Sequence, residues 1–219
     1  MSNSKNSLKK NQLRGIFSGL EKRSSISKKS DNFDKILIEE GIKYIQMRLP
    51  VNKITPNFEN KVKSTIEPHI LTAKIREANE NDFESILNIY NKSWLTSQEP
   101  FSPLTIESLK TIYGYKDTKI FIARLFGIDA GFMILDIEGY QSEYGIITAL
   151  AVLPRFQGKG LGKVMGVAAW EYFKHKSVKE LRCEVYFKNN VSYNFIKSLG
   201  FEEYDSKIYK REDFQQIEA

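Results

Sequence analysis

The chain has 219 residues, with 33 Lys and Arg against 27 Asp and Glu, a net charge of +6 with histidine neutral and a sequence pI near 9.1. Met1–Asn32 alone carries eight basic and two acidic residues, so the remainder is balanced at 25 of each sign and its bulk charge selects no polyanion. With 41% apolar and 12% aromatic residues the body can bury a core, while one cysteine excludes an intrachain disulfide and a Cys-rich metal site. The longest uncharged apolar stretch, Gly145 to Pro154, is about half of the roughly 20 residues of a membrane span. No apolar segment of the secretory type follows the early lysines, so a cytoplasmic protein without a membrane span is expected.

In chain order, residues 1–32 are rich in Ser, Lys and Asn, have little to bury, and are expected to form a disordered basic tail. Residues 33–69 read as a helical extension and linker. Ser30 or Asp31 can cap a helix whose Ile38, Ile42, Ile45 and Leu49 share one face, and Pro50 ends it. That face needs a partner surface, either on the same chain or on a second subunit, which would make a homodimer. Pro56 and Pro68 punctuate the linker.

From Ile70 the pattern predicts a domain over 70–212, followed by a short tail over 213–219. A strand is expected over 70–77, helices over 81–94 and 105–113, and strands over 119–126, 130–138 and 144–153. A glycine-rich turn then leads into a long helix from Gly160 to about Lys174, a strand over 180–186, a short helix over 191–198 and a strand pair through 201–209. The order is α/β, with hairpins first and a strand-loop-helix crossover later.

The segment that carries chemistry is Leu150-Ala151-Val152-Leu153-Pro154-Arg155-Phe156-Gln157-Gly158-Lys159-Gly160-Leu161-Gly162-Lys163. An apolar strand ends at Pro154 and passes through glycines into a helix striped by Leu161, Val164, Met165, Ala168 and Tyr172. Glycines let the backbone approach a bulky ligand, and the free amides, the helix dipole and Lys159 and Lys163 make a seat for a phosphate group. A tight strand-to-helix turn with no ligand is the competing reading. Gly158, Gly160 and Gly162 fall at i, i+2 and i+4, which fits neither the P-loop nor the dinucleotide-binding fingerprint.

Gln157-x-x-Gly160-x-Gly162 resembles the acyl-CoA pyrophosphate loop of the GCN5-related N-acetyltransferase (GNAT) family. Ile75-Arg76-Glu77-Ala78 with Asp82, Ile86 and Ile89 is similar to that family's first strand and helix, and Leu150-Ala151-Val152 to the strand that receives pantetheine. Asn189 to Phe201 resembles its second conserved stretch. The resemblance implies a GNAT-like fold, a mixed central sheet with a splayed strand pair and flanking helices. It implies acetyl-CoA as cosubstrate, no metal, and transfer of the acetyl group to a primary amine by direct attack in a ternary complex.

Carried over, the resemblance implies that the backbone of Leu150, Ala151 and Val152 pairs with pantetheine. The amides of Gln157, Gly158, Lys159, Gly160, Leu161, Gly162 and Lys163 would hold the pyrophosphate, with Asn189 at the CoA arm and Ser192 beneath it. Ile196 stands where the family often has a tyrosine that protonates the leaving thiolate. Tyr193 and Tyr186 are the candidate substitutes. An attacking amine with pKa near 10.4 benefits from a base, and Glu143 is the first choice among Glu138, Glu143 and Glu184.

Ile196 also motivates a non-catalytic acyl-CoA-binding module, and the basic tail motivates a binder of nucleic acid or acidic surfaces. Cys183, in an apolar alternating strand, reads as a small buried residue, and His69 and His175 lack metal-ligand company. Trp94 and Trp170 read as core or interface residues. Phe101, Tyr113 and Tyr115 come from the region that borders the acceptor site in the family.

Overall fold

The computed structural model describes residues 41–97, 104–210 and 213. The basic tail, the first part of the predicted helix over 33–49, Phe101 and most of 211–219 lie outside those residues. The helices and strands expected between residues 70 and 198 are present with small shifts of their ends, except that the strand expected over 70–77 begins only at Lys74, residues 70–73 forming a turn. They are β2 (Lys74–Glu77), α2 (Phe83–Trp94), α3 (Ile106–Tyr113), β3 (Lys119–Leu125), β4 (Ile128–Glu138), β5 (Tyr144–Val152), α4 (Leu161–Lys174), β6 (Glu180–Tyr186) and α5 (Asn190–Ser198).

Local chemistry explains the helix starts. Thr105 caps α3 by accepting a hydrogen bond from the Ser108 amide at 3.2 Å. Ahead of α2, the Asp82 carboxylate accepts from the Asn79 amide at 2.8 Å and forms a two-pronged pair with Arg76 at 2.7 Å per bond.

Two elements differ from expectation. Ile42–Pro50 is a strand, β1, and not the end of a helix. Its buried residues are Ile42, Tyr44 and Gln46 in the first half and Met47 and Leu49 in the second, so the buried parity switches between Gln46 and Met47. One face is covered at one end and the other face at the other end. The resulting set spaces apolar residues at roughly helical intervals, which is why period alone misreads it. The expected linker also contains a helix, α1 (Pro56–Lys63), capped by the Thr55 hydroxyl and carrying Phe58 against Trp170 with ring centroids 5.6 Å apart.

The expected terminal strand pair is a single strand, β7 (Glu202–Tyr209), whose sheet partner is β1. Among the described residues seven strands form one sheet in the order β2-β3-β4-β5-β6-β1-β7. Every pairing is antiparallel except β5 with β6. The strand from before residue 70 is therefore an interior strand, flanked on both sides by strands of the predicted domain. Trp170 and Phe173 of α4, Met47 and Leu49 of β1 and Ile86 and Ile89 of α2 join one buried apolar cluster.

The feature that positions the site is the β5–β6 pair. It is hydrogen-bonded only from Tyr144 opposite Glu180 to Ile146 opposite Arg182. Just beyond, the β4–β5 register shifts, with Ile134 opposite Ala149 and Leu135 opposite Ile147, so Thr148 is an extra residue in a bulge. A bulge bends its strand and increases local twist. From there β5 and β6 part.

Candidate acyl-CoA and acceptor site

The space between the parted strands is a cavity of about 460 Å³. Ile147 to Val152 of β5 form one wall and Cys183 to Val185 of β6 the other, with Tyr90 and Trp94 of α2 and Phe195 and Ile196 of α5 closing the sides. A strand that leaves its neighbour exposes backbone donors and acceptors that an extended ligand can pair with, as an added strand would. Leu150, Ala151 and Val152 stand on that edge.

The glycine loop forms one end. Gly160 caps α4 with φ +103°, a left-handed conformation, and a Cβ there would come 2.9 Å from Ile66 Cγ2. Gly158 has φ +73° and faces open space within 4 Å of an added Cβ. Both have left-handed backbones that favour glycine; at Gly160 packing requires it as well, while at Gly158 a side chain would meet no neighbour. Gln157, Gly158, Gly160, Gly162 and Lys163 line the cavity. Lys159 and Leu161 do not: Lys159 is exposed, and Leu161 is buried in the core as the first apolar residue of the helical stripe.

The Lys163 amide and that of Val164 already donate to Gly160 O, at 2.9 and 3.1 Å, so the free amides of this turn lie nearer its start. Lys163 Nζ donates to Thr65 Oγ1 at 2.7 Å, which brings the segment after α1 to the rim. Gln157 Nε2 donates to Val152 O at 2.8 Å and hydrogen-bonds Thr96, pinning the end of β5 to the loop after α2. Across the opening, Asn189 caps α5 by accepting from the Ser192 amide at 3.1 Å and reaches Ser97 Oγ at 3.4 Å. Both Asn189 and Ser192 line the cavity.

The three expected catalytic side chains are not brought there. Glu143 lies in the turn before β5, at the end where β5 and β6 are still paired. Seven strand residues at about 3.3 Å each put it on the order of 23 Å along the chain from Leu150. Hydrogen bonds from its own amide and that of Gln141 hold its carboxyl below the ordinary carboxylate range. Tyr193 shares the spacing of Ile196, but α5 presents Ser192, Phe195, Ile196 and Leu199 to the cavity, and Tyr193 turns toward β7, where its hydroxyl meets Glu203 at 3.2 Å. Tyr186 packs on Tyr44 and Phe187, with centroids 6.0 and 5.1 Å away, at the far end of β6 and outside the lining.

Sequence alone favours Glu143, but of the three expected acids Glu184 is the one that lines the cavity. Its Oε1 accepts from Gln46 Nε2 at 2.7 Å, and the Tyr209 hydroxyl lies 2.9 and 3.0 Å from its two oxygens. Nothing near Glu184 in sequence marks it out; its donors come from β1 and β7, 138 and 25 residues away. Cys183 is 7% exposed and Trp170 fully buried, as small-residue and core readings imply. Tyr113 packs edge-on against Phe83 at 5.4 Å.

A strand edge opened by a bulge, running into a glycine-capped helix start, is the architecture on which the sequence motif depends. The acetyltransferase (GNAT) family model matches residues 83–201, more than half of the chain. The chain belongs to the GNAT family.

Solved structures of similar fold include an aminoglycoside acetyltransferase from an uncultured soil metagenomic sample in complex with sisomicin, 22% identical, covering 63% of this chain and 94% of that one, with a TM-score of 0.53. AAC(6')-Iy in complex with the bisubstrate analogue CoA-S-monomethyl-acetylneamine is 23% identical over 63% of this chain and 95% of its own, with a TM-score of 0.52. The PaiA N-acetyltransferase from Thermoplasma acidophilum in complex with coenzyme A is 22% identical over 63% and 99%, with a TM-score of 0.54. At this identity the likeness is one of fold. No curated protein matches the sequence. Among the described residues no cluster of His, Cys, Asp and Glu could hold a metal ion, and no helix is long and apolar enough to cross a membrane.

Proposed function

We propose that this GNAT protein transfers the acetyl group of acetyl-CoA to a primary amine, and that Glu184 receives the proton of the attacking amine. The observation that carries the reading is the cavity between β5 and β6, lined by the glycine loop and Lys163 at one rim and by Glu184 on β6. The loop from Gln157 to Gly162, with the Lys163 side chain, suits a pyrophosphate. The free edge over Leu150–Val152 suits the amide-bearing pantetheine arm. Asn189 and Ser192 border the same path.

In the reaction the amine nitrogen forms a bond to the thioester carbon, the carbon–sulfur bond breaks, and the amine proton passes to Glu184 directly or through water. A strand amide at Leu150 or Ala151, whichever is directed at the open edge, would meet the oxyanion. The sulfur leaves as a thiolate of pKa near 8.5, which solvent can protonate, so the apolar Ile196 in the lining slows this step without blocking it. Holding the two reactants together supplies much of the acceleration. An incoming ammonium also finds in Glu184 a countercharge.

Thiol release from acetyl-CoA with a panel of polyamines, aminosugars and lysyl peptides tests the proposal. Glu184→Gln should lower kcat at least 100-fold while acetyl-CoA still binds. Wild-type protein that binds acetyl-CoA but releases no thiol above background would favour the second reading, a non-catalytic acyl-CoA-binding module, for which Ile196 in the lining is the supporting observation.

A further inference from the structure

Glu184 has a long side chain on a strand that is parting from its neighbour, and three torsions would spread its carboxylate over several positions. Two donors from distant parts of the chain prevent that. In the β1–β6 ladder Gln46 stands directly opposite Glu184, so their side chains share one face of the sheet at closest approach. Gln46 is 5% exposed and its Nε2 donates to Oε1 at 2.7 Å. Tyr209, 1% exposed on β7, reaches past β1 to place its hydroxyl 2.9 and 3.0 Å from the two carboxylate oxygens. The Tyr209 ring is itself fixed, with Tyr44 edge-on at 5.7 Å and Lys207 Nζ 4.2 Å from its centroid.

The β1–β7 ladder supports the same arrangement. Its register shifts beside Gln46, which pairs with Asp205, while Met47 pairs with Glu203. A bulge at that point re-aims neighbouring side chains. Both donors lie outside residues 83–201, the part of the chain that the family model matches.

We propose that Gln46 and Tyr209 are positioning residues for the transfer step: they hold the Glu184 carboxylate toward the cavity, so that the strand β1 is a working part of the active site as well as of the sheet. The inference rests on Glu184 as the proton acceptor proposed above. Neither residue lines the cavity, and neither touches the reactants. Their effect is on geometry, and a misplaced acceptor in a proton-transfer step lowers kcat with little effect on ground-state binding.

The test uses the full-length protein, thiol release from acetyl-CoA, and spermidine, kanamycin and a lysyl peptide as probe amines, with thermal unfolding and CoA titration run in parallel. Gln46→Met, which keeps length and removes the donor, and Tyr209→Phe, which removes one hydroxyl, should each lower kcat about 10-fold, with the KM for acetyl-CoA and the affinity for CoA within about twofold of wild type. In a Glu184→Gln background Gln46→Met and Tyr209→Phe should add nothing, because the group they position is gone.

Full kcat in both donor variants beside an impaired Glu184→Gln overturns the positioning role and leaves the assignment of Glu184 standing. Losses that persist undiminished in the Glu184→Gln background overturn it as well, since they then act by another route. Full kcat in Glu184→Gln overturns the assignment of Glu184 and this inference together, as does a wild type inactive toward all three amines. Should Gln46→Met unfold, Tyr209→Phe decides the matter, because it leaves the ring packing in place.

Discussion

Removing β1 separates two pictures of the chain: an acetyltransferase domain over 70–212 with an appendage, or one sheet that needs its N-terminal strand. The comparison is between fragments 41–219 and 51–219. β1 buries Ile42, Tyr44, Met47 and Leu49, which are 5%, 3%, 0% and 1% exposed. At about 1.5–3 kcal/mol per side chain the loss is on the order of 6–12 kcal/mol, an upper bound because the unfolded chain is itself partly compact. A domain of this size has about 5–15 kcal/mol in total.

The ladder adds to this. β7 pairs with β1, so without β1 the final strand has no neighbour in the sheet and β6 becomes an open edge. The 51–219 fragment should therefore lack a cooperative transition in urea, followed by far-UV circular dichroism and by fluorescence of Trp94 and Trp170, while 41–219 retains one. Met47→Ala is the gentler version, expected to cost about 2–5 kcal/mol in the full chain. A 51–219 fragment that unfolds cooperatively, with stability within about 2 kcal/mol of 41–219, would refute the reasoning, since it would mean that β6 and β7 find another way to pair.

Other outcomes can be stated briefly. Gly160→Ala should destabilise by about 2–4 kcal/mol, combining a left-handed backbone with the collision against Ile66. Gly158→Ala, with no atom in the way, should cost only about 1 kcal/mol in stability yet weaken CoA binding about 10-fold, because the methyl group fills the ligand side. Thermal melts paired with calorimetric CoA titration distinguish the two, and equal effects of both variants on both readouts would count against the division. Asp82→Asn should cost about 1–3 kcal/mol at pH 7 through the loss of charge-assisted bonds to Arg76 and the Asn79 amide.

The pH dependence of that last effect follows from the direction of the shift. The Arg76 hydrogen bonds lower the Asp82 pKa in the fold, so its contribution is complete above the unfolded carboxylate range and is lost as pH falls through the lowered value. Urea unfolding of wild type and Asp82→Asn should therefore show a gap at pH 7 that closes on acidification. A gap that widens toward acid pH would contradict the assignment.

The parts that were legible in the sequence share a cause. α2, α4 and α5 announce themselves through apolar residues at helical intervals, and β3 to β6 through short apolar runs between turn signals, with clean alternation in β6 alone, all of which are local. The glycine loop was legible because its chemistry is consecutive: Gln157 to Gly162 are neighbours in sequence and in space, and all but Lys159 and Leu161 of this run face the cavity. β1 was misread because the two halves of the strand bury opposite faces, which mimics the helical period, and nothing within the segment reveals that β6 and β7 lie on either side of it.

The acid–base side chains show the same divide. Spacing alone suggests Tyr193, three residues before Ile196, but the cavity-lining residues at this end are Ser192, Phe195 and Ile196 of α5 and Leu199 just after it, and the Tyr193 hydroxyl meets Glu203 of β7. Glu143 is near β5 in sequence, but β5 parts from β6 at its other end. Family membership and the glycine-rich strand-to-helix turn were determined by the sequence alone, since consecutive residues specify a backbone path. Which acidic residue lines the cavity was decided by the tertiary structure, because the splay of β5 from β6 opens the cavity and strands from both ends of the chain bring Gln46 and Tyr209 to Glu184.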